Sequence, residues 1–440
     1  MYFCVTCQLF LKYVDFYIYW YYNLLSRLII SFRRELVTLK KLNMEDVKIN
    51  NRGSLLRLLY NSQPMSRIEI SESLKLTTAS VSMICNEFLS QNLIIQNNDE
   101  SCDEHKVGRK VNPISLNYNY KYILSINIHF NECTLSVLNL KGDKIDSIIV
   151  STVYDNDEKV LLDVLINAGI KLIWGCSLTQ TDFLGIGVTI VGPVNSMQGI
   201  SLNSLGIFNK PVDIKKYFEK ALNISVCVES NVCAYLGSKF YLKEFDSELN
   251  VLAIKWAPGV GSAAFLNNKI YKGNNHESTE IGHCTSISGN EKCRCGKIGC
   301  LETLMSVNKL SKILIDLSKK PENSDILKLI EEYGEPSLSN INYFFTCHNN
   351  AFDYYIDKCC SELAFHISNA FSLIIPDKIL LLGELFILPR ISSQIIKNVT
   401  SLNNTVSEDC FIIDNLNSEV DCQGGLGIVV EKLLFRKGGA

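Results

Sequence analysis

The stretch that decides the fold is residues 277–302, which read ESTEIGHCTSISGNEKCRCGKIGCLE. It contains one histidine, His283, and four cysteines, of which three, Cys293, Cys295 and Cys300, have the spacing of metal ligands. A structural zinc ion takes four nitrogen or sulfur ligands in a tetrahedron, and one imidazole with three thiolates completes that set. Four protein ligands leave no position for water, so the pattern predicts structural rather than catalytic zinc.

Two glycines, Gly296 and Gly299, separate the last two of these cysteines, where the chain must turn sharply. A chance cluster is the alternative, because the chain carries 17 cysteines. The C-x-C and C-x4-C spacings together with a nearby histidine favour a metal site. Cys284 is an extra thiol, and we expect it to point away from its neighbour His283.

Composition describes an ordinary globular protein. The 440 residues are 47% hydrophobic and 20% charged, enough for two or three domains with a sizeable core. A net charge of −3 gives no global sign of a nucleic-acid or acidic partner. The irregularly spaced cysteines do not resemble a secreted disulfide scaffold, so we expect a cytoplasmic protein.

Residues 1–43 are unusually rich in tyrosine, phenylalanine and isoleucine. Charged residues interrupt this segment, and its longest uncharged runs, 1–11 and 16–26, are 11 residues each, whereas a membrane span needs about 20 apolar residues. A signal-peptide cleavage site of small residues is also lacking. We therefore expect no membrane segment, and we interpret 1–43 as an extension upstream of a start at Met44.

The next segment has the pattern of a helix-turn-helix. A helical period of leucines runs up to Pro64, and a capping box of Ser66 and Glu69 opens a second helix. A third helix is predicted to begin near Thr77 or Thr78, with small polar residues on its outer face. Two short helices joined by a tight turn are typical of DNA-binding proteins.

Residues 93–96 and 112–117 are predicted to pair as the strands of a wing. Any small three-helix bundle shares the helical periodicity, and the segment is only mildly basic, so the pattern alone leaves that alternative open. Short polar side chains can reach base edges, and an arginine beside a flexible glycine suits the minor groove. The residues that we expect to contact DNA are Ser66, Arg67, Thr77, Thr78, Ser80, Ser82, Gly108 and Arg109.

The rest of the chain alternates short strands with helices. Three antiparallel strands fall within 122–151, followed by a helix at 160–174 and a buried strand at 183–191. The theme then repeats. Mainly helices are predicted after the cysteines, with one strand at 378–382, and the chain closes with a helix at 426–435. The pattern predicts an α/β protein with a duplicated lobe and a cleft between the halves.

From about Arg52 to its C-terminus the chain resembles the ROK family of repressors, uncharacterised frames and sugar kinases. Residues 280–302 are similar to the family's E-x-G-H…C-x-C-G-x-x-G-C-L-E signature without a gap. Residues 257–273 and 185–194 are similar to its glycine-rich loops, with Val191 where a proline is common. The Ser66-Arg67 and Gly108-Arg109 dipeptides fall where the family's repressor branch carries S-R and G-R.

The resemblance implies an N-terminal winged helix-turn-helix at 44–117. It also implies a two-lobed, actin-like or ribonuclease-H-like sugar-kinase fold at 118–440, with a zinc-binding loop. The implied ligands of a structural Zn²⁺ are His283, Cys293, Cys295 and Cys300. The implied sugar contacts are Ser230, Asn231, Glu280, His283 and Glu302, whose carboxylates and imidazole would accept hydrogen bonds from sugar hydroxyls.

Three departures from the family pattern argue against phosphoryl transfer. Asn231 stands where the kinases carry the aspartate that acts as general base, and losing a base costs ~10²–10⁴-fold in rate. Residues 127–131 replace the glycine turn that lets backbone amides approach nucleotide phosphates. Gly383-Glu384 replaces a pair of glycines. We therefore predict a non-enzyme.

These observations together predict a DNA-binding repressor of carbohydrate genes. Its partners would be operator DNA and a small sugar or sugar-phosphate effector, and it would form a homodimer or a dimer of dimers. Two alternatives are a sugar kinase that retains a DNA-binding domain, and a regulator controlled by a protein partner. The alternative of a protein partner gains support from Ser230, which replaces an asparagine of the family pattern and weakens one sugar contact.

Overall fold

The structure is a computed structural model. It describes residues 43–97, 112–129, 132–151, 158–204, 207–208, 210–273, 279–346, 348–415 and 418–439. Two compact units make up the chain, Met1–Asn51 and Arg52–Ala440. Apart from the start of the first helix, every element below belongs to the second unit. Within the described residues, no helix has the length and apolar character needed to cross a membrane.

Three helices open the described chain: α1 Met44–Ser62, α2 Arg67–Leu74 and α3 Thr78–Ser90. The predicted capping box is confirmed at the start of α2. The Ser66 hydroxyl accepts from the Glu69 N–H at 3.2 Å, and the Glu69 carboxylate accepts from the Ser66 N–H at 2.7 Å. Thr77 caps α3 in the same way, by accepting from the Ser80 N–H at 3.2 Å.

The predicted wing strands are also present. Strand β1, Ile94–Gln96, pairs antiparallel with β2, Ile114–Leu116. The connection between α2 and α3 is tight because Lys75 adopts a left-handed conformation with φ of 53°. Gly108 and Arg109, which we expect to contact DNA, lie outside the described residues.

The first lobe follows. In chain order it contains β3 Tyr122–Ile128, β4 Glu132–Leu138, β5 Lys144–Ser151, α4 Glu158–Gly175, β6 Phe183–Ile190, β7 Val194–Asn195, β8 Ile200–Ser201, β9 Val212–Asp213, α5 Ile214–Leu222 and β10 Val226–Ser230. The main sheet has the order β10-β6-β3-β4-β5, and β7, β8 and β9 form a small sheet beside it. The β3, β4 and β5 strands are antiparallel, as predicted, whereas β6 joins β3 in parallel.

The second lobe repeats this arrangement. It contains α6 Asn231–Tyr241, β11 Val251–Trp256, β12 Val260–Leu266, β13 Lys269–Ile270, α7 Leu301–Met305, α8 Val307–Ser318, α9 Ser324–Tyr333, α10 Ile341–Phe345, α11 Asn350–Ile374, β14 Lys378–Leu382, α12 Glu384–Ile387, α13 Pro389–Leu402 and β15 Phe411–Asp414. Its sheet has the order β13-β12-β11-β14-β15. The sequence pattern predicted a single strand after the cysteines. That was wrong, because the four residues of β15 are too short to show a clear period.

The closing helix, α14, spans Ser418–Val429 and continues as a π-helical turn over Val430–Phe435. It therefore begins earlier than predicted. The helix packs against α6, β3 and β6, so it covers one face of the first sheet. Gly425 permits the close approach, because a Cβ there would lie 2.2 Å from the Ser125 hydroxyl oxygen. Nearly every residue of β3 and β6 is buried, as expected for strands that are covered on both faces.

The end of the chain packs against α1. The Nε of Arg52 donates to the Gly438 carbonyl at 2.6 Å, and an Arg57 nitrogen lies 2.9 Å from the Glu431 carboxylate. The Arg57 guanidinium also lies over the Phe435 ring, 4.8 Å from its centroid. These contacts join the C-terminal residues to the helices that precede the wing.

Candidate functional site

The predicted metal ligands lie together in a loop closed by backbone hydrogen bonds. Thr285 and Cys300 form an isolated antiparallel bridge, and the Ser286 N–H donates to the Gly299 carbonyl at 2.7 Å. Gly299 has a φ of +76°, and a Cβ there would lie 2.6 Å from the Gly289 carbonyl oxygen. Only glycine fits this turn, as the sequence predicted.

The ligand atoms of His283, Cys293, Cys295 and Cys300 all lie within 4.8 Å of one another. The His283 Nδ1 is 3.6 Å from the Cys293 sulfur, and the Cys295 and Cys300 sulfurs are 3.5 Å apart. A tetrahedral zinc ion with ordinary bond lengths would space its ligands by about 3.6 Å for sulfur to nitrogen and about 3.8 Å for two sulfurs. The four side chains therefore fit a zinc ion.

The protonation of the thiols is consistent with a metal site. Burial raises the pKa of Cys300 to about 12 and also raises the pKa of Cys293. For Cys295 burial acts in the same direction, but hydrogen bonds from the Lys297 backbone and the neighbouring thiols outweigh it and lower the pKa. A bound cation would favour the thiolate form of all three side chains. Cys284 is exposed and lies outside the cluster, as expected.

A pocket of about 430 Å³ lies next to this cluster, within the usual range for small-molecule sites. The predicted sugar contacts Ser230, Asn231, Glu280, His283 and Glu302 all line it. The glycine loop at 257–261 lines it as well. The structure thus brings together every residue that the resemblance implied for sugar recognition.

Gly282 explains how Glu280 and His283 reach the pocket. They belong to one tight turn, and a Cβ at Gly282 would lie 2.0 Å from the Val260 carbonyl oxygen. The turn can therefore pack directly on β12. Ser262 on that strand fixes it further, because its hydroxyl accepts from the Ile281 N–H at 3.1 Å.

Glu302 reaches the pocket from the first turn of α7, which begins directly after the ligand Cys300. Its side chain is buried, and a Cβ built at Gly259 would lie 3.1 Å from one of its carboxylate oxygens. The glycine loop therefore makes room for this carboxylate. The candidate metal ligand Cys300 and the pocket carboxylate of Glu302 are thus two residues apart, at the junction of the loop and α7.

The opposite wall of the pocket comes from the junction of β10 and α6. Asn231 is the first residue of α6 and is buried, and its amide oxygen accepts from the Val232 N–H at 2.8 Å. An amide in this position offers no useful basicity. Behind it, the buried Glu229 carboxylate pairs with Lys272 and accepts from the Ser230 N–H at 2.9 Å.

Sequence reasoning missed several polar residues of the pocket. They are Lys255, Arg294, Ser306, Asn308, Ser311 and Lys312. Lys255 is a buried lysine in the otherwise apolar strand β11, an unusual placement that could have identified it. The others come from the metal loop and from α8, whose contribution depends on how the lobe folds.

The predicted DNA contacts divide into two groups. Thr77 and Thr78 are exposed at the start of α3, and Ser80 and Ser82 are partly exposed on its surface. Arg67 is partly exposed, and its guanidinium donates to the Asn86 side chain at 2.9 Å. In the second group, Ser66 is buried with its hydroxyl engaged in the capping box, so it positions α2 rather than facing outward.

Comparison with known proteins extends these observations. A model of the ROK family matches residues 124–429. The xylose repressor of Bacillus spizizenii is 25% identical over 288 residues, which cover 64% of this chain and 72% of that protein. The glucokinase of Halalkalibacterium halodurans is 23% identical over 265 residues, covering 60% of this chain and 80% of that enzyme.

One similar solved structure is that of a ROK family transcriptional regulator described as a homolog of the E. coli MLC protein. It aligns with a TM-score of 0.72 at 20% identity and covers 89% of this chain and 98% of that chain. At this identity the likeness concerns the fold. The family model spans more than half of the sequence, and on that basis this chain belongs to the ROK family.

Proposed function

We propose that this chain is a sequence-specific DNA-binding repressor of carbohydrate genes whose sugar-kinase-like body senses a sugar and does not phosphorylate it. The observation that carries the proposal is Asn231. It lines the pocket where a kinase needs a base, while the residues implied to recognise a sugar remain around it. The similarity to a xylose repressor supports the same assignment.

Zinc has a structural role in this proposal. His283 Nδ1 faces the cysteines, so a bound metal takes that nitrogen and the ring proton stays on Nε2. The imidazole then donates a hydrogen bond to a sugar oxygen, and does not accept one as the sequence had suggested. The carboxylates of Glu280 and Glu302 accept from sugar hydroxyls. The metal holds the ring and the turn in place.

The DNA-binding surface in this proposal is the exposed face of α3. Thr77, Thr78, Ser80 and Ser82 approach base edges, and Arg67 lies beside them. Gly108 and Arg109, which lie outside the described residues, are the proposed minor-groove contacts. We assign the DNA-binding domain to 44–117 and the effector domain to 118–440. A two-fold dimer would place two such surfaces on half-sites about one helical turn apart.

Sugar binding would change the position of the two DNA-binding domains by favouring one arrangement of the lobes. The test is footprinting of the full chain on the promoter next to its own gene, with and without pentoses, hexoses and amino sugars. We expect a protected site whose occupancy changes with one of these sugars. Absence of a footprint under every condition would refute the proposal.

The kinase alternative is tested by a coupled ATPase assay with the same sugars. We expect turnover at background, both for the native chain and for Asn231→Asp, because restoring a base does not restore the glycine turn. Sugar-dependent turnover well above background in the native chain would instead identify a kinase. If calorimetry detects no binding of any of these sugars, a regulator controlled by a protein partner would be favoured.

A further inference from the structure

The metal loop is held from outside by one buried carboxylate, Glu362, on the long helix α11. Its Oε2 accepts from the Ile287 N–H at 3.1 Å. Its Oε1 accepts from the Ser288 N–H at 3.0 Å and from the Ser288 hydroxyl at 2.7 Å. Hydrogen bonds to an ionised acceptor are the strong ones, so this turn of the loop is firmly fixed to α11.

We propose that Glu362 is a positioning residue for the metal site, a role that rests on the proposed zinc. The turn that it holds is bonded to the rest of the loop through Ser286. The Ser286 hydroxyl accepts from the Gly289 N–H at 3.0 Å, and the Ser286 N–H donates to the Gly299 carbonyl. Gly299 directly precedes the ligand Cys300. Glu362 therefore fixes the bridge between Thr285 and Cys300, which brings together His283 and Cys300, the first and last residues of the ligand set.

The same helix also supports the sugar-facing carboxylate. The Tyr355 hydroxyl on α11 donates to the Leu304 carbonyl of α7 at 2.7 Å. Glu302 lies two residues earlier on α7. A single rigid helix thus holds the metal loop through Glu362 and the helix of Glu302 through Tyr355, so the spacing between metal and sugar contacts depends on α11.

Glu362 remains a carboxylate in this environment. Burial acts to raise its pKa, but the hydrogen bonds from Ser288 and Ile287 outweigh burial and lower the pKa overall. Removing the carboxylate would take away the acceptor of the Ile287 N–H and would leave the Ser288 N–H with only the Ser286 hydroxyl, 3.2 Å away. The loop would then lose its fixed geometry while the metal ligands themselves remain present.

The experiment compares Glu362→Ala and Glu362→Gln with the native full-length chain, and uses Glu331→Ala, an exposed glutamate on α9, as the matched control. Zinc affinity is measured by competition with a chromophoric chelator, and ligand geometry by the thiolate charge-transfer spectrum of the cobalt(II)-loaded protein. We expect Glu362→Ala to weaken zinc binding about 10-fold, the size typical of groups that orient ligands. Glu362→Gln keeps the volume and one acceptor oxygen, so its loss should be smaller.

A merely structural role would lower the urea midpoint of zinc-saturated protein and leave the cobalt spectrum unchanged. Native affinity and an unchanged spectrum in both Glu362 variants would overturn the inference. If Glu362→Ala does not fold, Glu362→Gln carries the test alone. If the native chain binds no zinc, the proposed metal site is refuted. That result differs from native-like zinc binding by the variants, which would refute only the role of Glu362.

Discussion

The two walls of the pocket differ in what holds them in place. The wall with Glu280, His283 and Glu302 belongs to a loop closed by a metal-ligand set and supported from behind by Glu362. The facing wall, with Ser230 and Asn231, is an ordinary strand-to-helix junction held by hydrogen bonds and one ion pair. In the proposed function, the first wall keeps the residues implied to recognise a sugar, whereas the second carries Asn231 in place of a base. The two walls have separate structural supports, so under this proposal catalysis could be lost without loss of recognition.

The largest effect should come from the metal ligands. Cys293→Ser or Cys295→Ser removes a thiolate, and we expect loss of bound zinc and a decrease of more than about 4 kcal/mol in the free energy of unfolding. Metal content and urea unfolding measure the two quantities. Cys284→Ser is the control, because this exposed thiol lies outside the cluster. A zinc-free double variant that represses and responds normally would show that the metal does not support the pocket.

The ion pair of the second wall should give the next effect. Lys272→Met leaves the buried Glu229 carboxylate without its partner, and we expect a loss of about 3 kcal/mol in stability. Lys309→Met is a matched control. The two lysine side chains are equally exposed, at 22%, but Glu291, the partner of Lys309, is 53% exposed against 8% for Glu229. The control should lose less than about 1 kcal/mol. If urea unfolding shows equal losses of stability for Lys272→Met and Lys309→Met, the burial of the glutamate partner does not matter for these ion pairs.

A smaller effect is expected where the glycine loop meets the first wall. In Gly259→Ala the new methyl group would contact the Glu302 carboxylate, which would have to shift by a few tenths of an ångström. We expect about a 10-fold loss of affinity for the effector, or about 1.4 kcal/mol, with the fold intact. Gly175→Ala is the control, because a Cβ there meets nothing within 4 Å. The affinity is measured by calorimetry with the sugar identified by footprinting. A loss of affinity would indicate that the Glu302 carboxylate is displaced, and native affinity would indicate that the pocket is unchanged.

The smallest effect lies outside the pocket, at the cap of α3. Thr77→Ala removes the hydroxyl that accepts from the Ser80 N–H, and N-cap losses of this kind cost about 1 kcal/mol. We expect a correspondingly small fall in stability, and a larger fall in operator affinity because the capped turn carries the proposed DNA contacts. Thr77→Ser, which keeps the hydroxyl, should behave as the native chain. If Thr77→Ala binds the operator with native affinity, the first turn of α3 does not belong to the DNA-binding surface.

Much of the architecture could be predicted from the sequence because its signals are local. The capping box of Ser66 and Glu69 and the turn at Gly299 each depend on residues a few positions apart. Strand β15 was missed because four residues carry too little pattern. Only the folded chain shows that Ser66 is buried with its hydroxyl engaged in the capping box.

The sequence by itself identified His283, Cys293, Cys295 and Cys300 as a candidate metal-ligand set, since that pattern depends on residue identity at short spacing. The roles predicted for Glu280, Glu302 and Asn231 came from the resemblance to the family. Only the tertiary structure decided that Glu362, 62 positions beyond Cys300 in number, supports the metal loop. It alone also revealed Lys255 in the pocket wall and the bond from Arg52 to Gly438 at the far end of the chain. Side chains from distant positions meet only after the sheets and helices pack, and no local pattern records that packing.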